Sequence, residues 1–370
     1  MMSEPFPDAL YMQQALDLAV RGIGRVEPNP IVGAVVLDAD GEVCGVGWHK
    51  QFGGPHAEVY ALQEAGPRTA GGTLYVTLEP CSHHGKTPPC AEAVIAAGLK
   101  RVVIGCSDPA PHVAGRGIEM LRAAGITVDV GVMQQASEDL IAPFRTLMLE
   151  KRPWVHAKWA MSLDGRIATH TGHSQWISNA RSRAFVHELR GRMDGILVGS
   201  GTALADDPQL TPRPPGPRTP LRIVLDARGR LPLSGQLAQT ARDIPVLLFT
   251  SPELPVPREQ EFLDLGIQVQ RVPVDDAGQL VVANVLQHLG TRQLTHLLVE
   301  GGSHVLGSFR DAGLIDEVHL FVAPKLIGGR SAISPFAGTG AETVPELPTL
   351  RTVESRMLEN DVYIHGRVAR

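Results

Sequence analysis

The feature that most constrains this chain of 370 residues is a set of three potential metal donors in its first quarter. His56 begins a His-Ala-Glu tripeptide, and Cys81 and Cys90 follow a strand-like segment. One imidazole and two thiolates are three of the four ligands of a tetrahedral zinc ion, and a catalytic site leaves the fourth position for water. Glu58 is too close to the histidine to bind beside it and is placed to face that water. Enzymes that replace an exocyclic amine of a nucleobase by oxygen have this arrangement.

Each part of this pattern also has a simpler interpretation. A His-Ala-Glu tripeptide on a helix is common on protein surfaces, and cysteines near prolines are more often buried thiols than ligands. Here Glu-Pro precedes Cys81 and Pro-Pro precedes Cys90, and all the parts occur in the order that a zinc site requires. The combination therefore predicts zinc.

Length and composition limit the class of protein. A chain of this length predicts two domains, and 43% hydrophobic and 20% charged residues are typical of globular proteins. A net charge of −5 without a dense basic run argues against a nucleic-acid surface. The sequence shows no secretion signal and no apolar stretch of membrane-spanning length. Because two of the four cysteines are assigned to metal, Cys44 and Cys106 are interpreted as buried thiols of a cytoplasmic protein.

The first half of the chain alternates strands and helices, which predicts an α/β domain. Strands are predicted at 31–37, 43–47, 73–77, 101–104 and 126–130, and helices at 8–22, 55–66, 88–97 and 117–124. We expect Thr87 to cap the third helix. Each metal donor should then lie at or just before a helix amino terminus, where the helix dipole favours a thiolate.

A linking helix at 134–149 leads to the predicted boundary, which gives domains 1–149 and 150–370. The second half is again α/β. Its predicted strands are 154–161, 195–199, 221–225, 245–250, 267–272, 296–299, 317–323 and 362–368, and its helices are 179–192, 279–289 and 303–311. A proline-rich loop covers 208–220.

Two local patterns leave alternatives open. Asn29, between two prolines before a strand, offers a donor and an acceptor to a ring edge, although Asn-Pro commonly begins a turn. In the second half, Gly301 and Gly302 follow a strand and open a helix, where backbone N–H groups can hold a pyrophosphate. The pattern is not GxGxxG, and a Gly-Gly turn before a helix is usually only a turn.

The run EPCSHHGKTPPC at 79–90, together with PNPIVGAVV upstream, resembles the bifunctional riboflavin-biosynthesis family, a pyrimidine deaminase fused to a reductase. The SHHGKTPP insert separates this pattern from tRNA and cytidine deaminases. The resemblance continues through KWAMSLDGR, SQWI, LADDP and VEGG and covers nearly the whole chain. It implies an N-terminal cytidine-deaminase-like three-layer α/β domain and a C-terminal dihydrofolate-reductase-like α/β domain.

For the first domain, the resemblance implies that the three donors bind Zn²⁺ and that Glu58 is catalytic. The substrate contacts that it implies are Asn29, His49, Lys86 and Asp108. This chain has Ala110 where the family often has an asparagine, so one expected substrate contact is missing.

For the second domain, the resemblance implies an NADPH site and a sugar-phosphate site. The NADPH positions are Ala160, Trp176, Thr202, Asp206 and the loop from Gly302; the sugar-phosphate positions are Ser174, Arg190, Leu210, Arg213 and Glu300. Two arginines suit a phosphomonoester, because each guanidinium binds it through two hydrogen bonds.

We also expect Lys158 and Asp206 to act as a lysine–carboxylate pair that orients the ribose and relays a proton. An ordinary ion pair is the alternative interpretation.

The expected function is deamination of 2,5-diamino-6-(ribosylamino)-4(3H)-pyrimidinone 5′-phosphate, followed by NADPH-dependent reduction of the ribosyl chain to ribityl. The expected protein is a cytoplasmic homo-oligomer that acts on this small molecule, without nucleic acid or membrane as partner. One alternative is a tRNA adenosine or free-nucleoside deaminase with an unrelated C-terminal domain. Another is a non-catalytic module that keeps zinc for stability, against which Glu58 argues.

Overall fold

The computed structural model describes residues 8–82, 89–110, 114–344 and 347–369. The chain divides into two compact units, Met1–Lys151 (unit 1) and Arg152–Arg370 (unit 2). Within the described ranges, no helix has both the length and the apolar character that crossing a bilayer requires.

Unit 1 is built on a five-stranded sheet with the order β2-β1-β3-β4-β5. The strands are β1 Gly33–Leu37, β2 Val43–Trp48, β3 Thr73–Leu78, β4 Arg101–Cys106 and β5 Thr127–Val130. β1 is antiparallel to both β2 and β3, whereas β3, β4 and β5 are parallel. The amino end of β1 therefore lies at the same edge as the carboxyl ends of β3 and β4.

The α-helices of the described part of unit 1 are α1 Asp8–Ala19, α2 Ala57–Ala65, α3 Cys90–Ala96, α4 Arg116–Ala123, α5 Gln134–Leu140 and α6 Ala142–Glu150. Separate apolar cores lie on the two faces of the sheet, one with α2, α3 and α4 and the other with α1 and α5. The predicted three-layer α/β arrangement is confirmed. The predicted single helix 134–149 is wrong, because the chain breaks at Ile141 and restarts with Pro143 in the first turn of α6. Pro89 precedes α3, and Thr87, the predicted cap, lies outside the described residues.

Unit 2 contains a nine-stranded sheet with the order β10-β9-β8-β7-β11-β6-β12-β14-β13. The strands are β6 Trp154–Ser162, β7 Gly195–Gly199, β8 Leu221–Leu225, β9 Val246–Thr250, β10 Gln268–Arg271, β11 His296–Gly301, β12 Glu317–Ala323, β13 Leu350–Leu358 and β14 Asp361–Val368. The strands from β10 to β12 are parallel, and β14 and β13 continue the sheet antiparallel.

The helices of unit 2 are α7 Ala180–Arg190, α8 Ser200–Asp206, α9 Gln236–Gln239, α10 Val256–Asp264, α11 Val282–Thr291 and α12 Ser303–Asp311. The second α/β prediction is also confirmed, because β7, β8 and β9 are buried along their whole length, as parallel strands between helices are. α7 begins where Asn179 accepts a hydrogen bond from the Ser182 N–H. The sequence patterns did not predict α8, α9, α10 or β13, and the predicted helix at 279–289 lies instead at Val282–Thr291.

A buried ion pair lies at the start of unit 2. The Arg152 guanidinium donates to both carboxylate oxygens of Asp316 at 2.6 and 3.0 Å, and the Val155 N–H donates to the same carboxylate at 2.8 Å. The pair therefore joins the chain before β6 to the residue that precedes β12.

We predict that Asp316→Asn lowers the free energy of unfolding of unit 2 by about 3 kcal/mol, because it removes the negative charge of a buried ion pair. Asp276→Asn, an exposed change in the same unit, should cost less than about 0.5 kcal/mol. Urea unfolding followed by circular dichroism measures both values. Equal stability of the two variants would contradict the prediction.

Candidate functional site

Three metal donors converge in unit 1. His56 precedes α2, Cys90 is the first residue of α3, and Cys81 follows β3. The His56 Nδ1 atom lies 3.2 Å from Cys90 Sγ and 3.6 Å from Cys81 Sγ. A tetrahedral zinc ion with ordinary bond lengths separates such donors by about 3.5 to 3.8 Å, so the donor types and their spacing fit zinc.

Backbone geometry favours the thiolate form of Cys81. The Cys90 N–H, at the start of α3, donates to Cys81 Sγ at 3.3 Å. Hydrogen bonding from Cys90, and from His56, lowers the pKa of the Cys81 thiol to about 4. The prediction that every donor sits at a helix amino terminus holds for His56 and Cys90. Cys81 lies in the loop after β3 and contacts the start of α3 through the Cys90 N–H and through its own carbonyl oxygen, which accepts from the Ala91 N–H at 3.1 Å.

Glu58 lies in the first turn of α2 and is only 3% exposed. Burial raises the pKa of its carboxyl, and the His56 ring opposes this shift. Glu58 lies two residues after His56, which places a proton-carrying group beside the metal donors.

Asn29 and His49 form a connected pair beside the metal donors. The His49 Nδ1–H donates to the Pro55 carbonyl at 2.9 Å, which leaves Nε2 to accept from the Asn29 amide at 3.3 Å. The His49 and His56 rings are 5.4 Å apart, edge to face. One N–H of the Asn29 side-chain amide thus donates to His49, which orients the carbonyl oxygen and the second N–H of that amide.

The loop after β4 is fixed by a buried carboxylate. Glu79 accepts hydrogen bonds from the backbone N–H groups of Asp108, Gly115 and Gly117 at 3.2, 3.0 and 3.0 Å. Asp108 accepts from the Ala110 N–H at 2.8 Å, and the Ala110 side chain is buried. Sequence reasoning missed this role of Glu79, because its donors lie about 30 residues downstream. Lys86 lies outside the described residues.

Unit 2 contains a cavity of about 1270 Å³ at the carboxyl ends of its central parallel strands. All of the predicted cofactor and sugar-phosphate residues line it: Lys158, Ala160, Ser174, Trp176, Arg190, Thr202, Asp206, Leu210, Arg213, Glu300 and Gly302. In open α/β sheets, ligands bind at this edge. The structure therefore brings residues from six separate segments to one cavity.

A buried carboxylate organises the cationic end of the cavity. Arg190 donates to Glu300 through Nε at 2.6 Å and Nη2 at 2.9 Å, and Lys158 Nζ lies 3.5 Å from the same carboxylate. Burial alone would raise the pKa of Glu300, but Arg190 and Lys158 outweigh it and lower this pKa to about 2. The single negative charge of Glu300 thus lies beside the two positive charges of Arg190 and Lys158.

Arg213 and His187 add to this end of the cavity. The Arg213 guanidinium donates to the Gln209 side chain at 2.9 Å and lies 3.5 Å from His187 Nε2. Burial, together with Arg190 and Arg213, lowers the pKa of His187. The region therefore carries excess positive charge that suits an anion. His187 was not predicted, because it lies in an ordinary amphipathic helix pattern.

Another part of the cavity wall is formed by two helix starts. The Gly302 N–H donates to Thr202 Oγ1 at 3.1 Å, which joins the starts of α12 and α8. Gly301 has a φ of +96°, which favours glycine, and a Cβ atom at Gly302 would approach Thr202 Oγ1 to 3.3 Å. A ligand phosphate can therefore approach the backbone closely here.

The expected Lys158–Asp206 pair is wrong. Lys158 pairs with Glu300, whereas Asp206, at the end of α8, accepts a hydrogen bond from the Gln175 side chain at 3.1 Å. The error arises because sequence distance says nothing about which carboxylate the fold places beside a lysine. The ring of Trp176 is 63% exposed at the cavity wall, with the Arg183 guanidinium 4.6 Å from its centroid.

Comparison with known proteins agrees with two distinct sites. Residues 7–106 match the family described as the cytidine and deoxycytidylate deaminase zinc-binding region, and residues 153–364 match the RibD C-terminal domain. The riboflavin biosynthesis protein RibD of Actinobacillus pleuropneumoniae is 39% identical over 96% of this chain and 94% of its own length. The corresponding protein of Aquifex aeolicus is 40% identical over 96% and 97%.

Solved structures give the same result. Acinetobacter baumannii RibD superposes with a TM-score of 0.85 at 36% identity, covering 98% of this chain and 99% of that one. A diaminohydroxyphosphoribosylaminopyrimidine deaminase/5-amino-6-(5-phosphoribosylamino)uracil reductase from Thermotoga maritima superposes with a TM-score of 0.83 at 38% identity, with the same coverage.

We predict that Cys81→Ser removes one zinc ion per chain from the protein, because a hydroxyl is a poor replacement for a thiolate ligand. Cys44→Ser, which changes a half-buried thiol of unit 1, should keep the wild-type zinc content. Metal analysis after dialysis against a weak chelator measures both. Undiminished tight zinc in Cys81→Ser would show that the donor set is different.

Proposed function

The chain belongs to the RibD family of riboflavin-biosynthesis proteins, and from that premise we propose which of its residues carry the two reactions. The protein is a bifunctional zinc-dependent deaminase and NADPH-dependent reductase. It deaminates 2,5-diamino-6-(ribosylamino)-4(3H)-pyrimidinone 5′-phosphate and then reduces the ribosyl chain of 5-amino-6-(5-phosphoribosylamino)uracil to ribityl. A tRNA or free-nucleoside deaminase with an unrelated second domain is not favoured, because residues 153–364 match the RibD C-terminal domain.

Deamination is assigned to residues 1–149. The observation that carries this assignment is the convergence of His56, Cys81 and Cys90 beside the buried Glu58. Zinc held by the three donors supplies a Lewis acid that makes water nucleophilic near neutral pH. The Glu58 carboxylate would accept a proton from water and pass it to the ring nitrogen. It would then accept the proton of the hydroxyl group added to the ring carbon and pass it to the amino group, which leaves as ammonia.

The pyrimidine ring is recognised by Asn29, His49, Lys86 and Asp108. Because the His49 ring fixes one N–H of Asn29, the amide presents its carbonyl oxygen and its second N–H in one orientation to the ring edge. The Glu79 carboxylate fixes the backbone of Asp108 by accepting a hydrogen bond from its N–H. With alanine at position 110, the loop contributes no side-chain amide at that point.

Reduction is assigned to residues 150–370. NADPH supplies the hydride, and its binding is assigned to Ala160, Trp176, Thr202, Asp206 and the loop that begins at Gly302. Support comes from the joined starts of α8 and α12, where backbone N–H groups suit the pyrophosphate. The protein contributes position and charge, while the hydride chemistry belongs to the cofactor.

The sugar phosphate is assigned to Ser174, Arg190, Leu210, Arg213 and Glu300, with Lys158 beside the ribose. Glu300 holds the Arg190 fork in one plane and orients the Lys158 ammonium. Reduction breaks the bond between C1′ and the ring oxygen of the ribosyl group, adds hydride to C1′, which stays bound to nitrogen, and adds a proton to the released oxygen. Lys158 is the proposed group that holds and delivers this proton.

We further propose a cytoplasmic homo-oligomer without a nucleic-acid partner. The net charge of −5 supports the absence of nucleic acid. β13, the edge strand of the larger sheet, exposes Val353 and Met357, and such edges are often covered by a second chain. Sedimentation of the purified protein measures the oligomeric state. The same experiment with a single-stranded oligonucleotide tests for nucleic-acid binding.

We predict that Glu58→Gln lowers the deamination rate by at least about 10³-fold, because glutamine keeps the shape of the side chain but cannot carry a proton. Zinc content and reduction of separately supplied deaminated substrate should not change. The matched control is Glu64→Gln on the same helix, where the exposed carboxylate accepts from the Val46 N–H and an amide oxygen can replace it. Near-wild-type deamination by Glu58→Gln would assign the proton transfer to another group.

We predict that Arg213→Met raises the KM for the deaminated sugar phosphate by roughly 10- to 100-fold, the value of one charge-assisted hydrogen bond. NADPH binding, measured by cofactor fluorescence, should change little. Arg181→Met on α7 removes an exposed arginine that pairs with Glu188 at 3.8 Å, and it serves as the control. Loss of NADPH binding with an unchanged KM for the sugar phosphate would reverse the assignment of the two ends of the cavity.

A further inference from the structure

A row of histidines crosses the sheet of unit 2, away from the carboxyl edge that forms the cavity. It comprises His296 on β11, His156 on β6, His319 on β12 and His365 on β14, with Glu317 also on β12. These strands are adjacent, and the register pairs Glu317 with His156 and His319 with His365. The row therefore results from strand order, and the functions proposed above do not use it.

Three atoms of this row face one another at the spacing of metal ligands. His156 Nδ1 lies 3.2 Å from His319 Nε2, and Glu317 Oε1 lies 3.5 Å from the first atom and 3.4 Å from the second. A tetrahedral zinc ion bound by nitrogen and oxygen at ordinary distances separates its ligands by about 3.3 Å. The three side chains form a nearly equilateral triangle of the required size.

Burial makes this arrangement costly unless a ring proton or a cation lies between the three atoms. The side chains of His156, His319 and Glu317 are 6%, 5% and 11% exposed. Two imidazole nitrogens and a carboxylate oxygen that face each other at this distance repel unless a proton or a metal ion lies between them. Burial also lowers the pKa of His156 to about 4 and lowers that of His319. Neutral imidazole is the form that binds metal.

The outward atoms of the same side chains have partners of the kind that surrounds metal sites. His156 Nε2 lies 3.0 Å from His296 Nδ1, and His319 Nδ1 lies 2.7 Å from the Tyr363 hydroxyl. Glu317 Oε2 accepts from the Trp154 indole N–H at 3.0 Å, and Glu317 Oε1, the atom that faces the two histidines, also lies 2.6 Å from His365 Nε2. Metal-bound histidines almost always use their second ring nitrogen in this way, which fixes the tautomer that points at the ion.

We propose that His156, Glu317 and His319 bind a zinc ion, at a second metal site that is separate from the His56, Cys81 and Cys90 site. The ion would join β6 to β12 deep in the sheet. Alternate residues of a strand share a face, so Lys158 is the next side chain after His156 on this face of β6. The second zinc site therefore stabilises the strand that carries Lys158 into the reductase cavity, and it takes no part in hydride transfer.

The test uses the full-length Cys81→Ser/Cys90→Ser protein, in which the first site is disabled and unit 2 is unchanged. After treatment with a strong chelator and removal of that chelator, we expect this protein to bind one equivalent of zinc. Binding should raise the thermal unfolding midpoint of unit 2, because the ion binds only the folded state. Cobalt in place of zinc should give visible d–d absorption without the sulfur-to-cobalt charge-transfer band of a thiolate site.

His156→Gln/His319→Gln, introduced into the same background, should weaken zinc binding by at least about 100-fold. His170→Gln, an exposed change in unit 2, should leave it intact. Absence of zinc and cobalt binding by the Cys81→Ser/Cys90→Ser protein would overturn the proposal and leave a hydrogen-bonded cluster. This result does not depend on whether the histidine variants fold. Binding that survives the loss of both histidines, or a cobalt spectrum with a thiolate band, would also overturn it.

Discussion

Backbone N–H groups at the ends of parallel strands are the constraint on which both sites depend. A parallel strand that passes into a helix leaves the first amides of that helix unpaired and pointing outward. In unit 1, the amide of Cys90 binds the sulfur of Cys81. In unit 2, the amide of Gly302 binds Thr202, and the two helix starts form one wall of the cavity. The same backbone feature therefore favours a thiolate in one unit and suits a phosphate in the other.

Three buried carboxylates show how their surroundings assign different tasks to one functional group. The Glu79 carboxylate accepts hydrogen bonds from the backbone N–H groups of the loop after β4, so it fixes the conformation of that loop. Glu300 lies between Arg190 and Lys158, which keep it ionised and which it holds in place. Glu58 lies next to the metal donors without such a set of donors from the backbone, and burial raises its pKa. Of the three, Glu58 has the surroundings of a group that exchanges protons.

The sequence predicts most of the strands because they are either uniformly apolar or bounded by turn residues. It misses β13, since that edge strand is mostly exposed and polar, and the short helices α8 and α9, which have too few residues for a periodic pattern. Motif spacing predicts the zinc donors, because they lie within 35 residues of one another. It fails for Lys158, whose partner Glu300 lies 142 residues away, on a strand that the fold inserts beside β6. The histidine row is hidden for the same reason, since its members come from four strands that become neighbours only in the folded sheet.

The division of residues between the units limits how the two reactions depend on each other. The described zinc donors and their neighbours all come from unit 1, and every residue that lines the large cavity comes from unit 2. Deamination changes only the ring of the substrate and leaves the ribosyl phosphate intact. The cationic end of the cavity, formed by Arg190, Arg213 and Lys158, is proposed to bind the phosphate, a group that substrate and product share. Discrimination between them must come from contacts to the ring, where an amine that donates hydrogen bonds has become a carbonyl that accepts them.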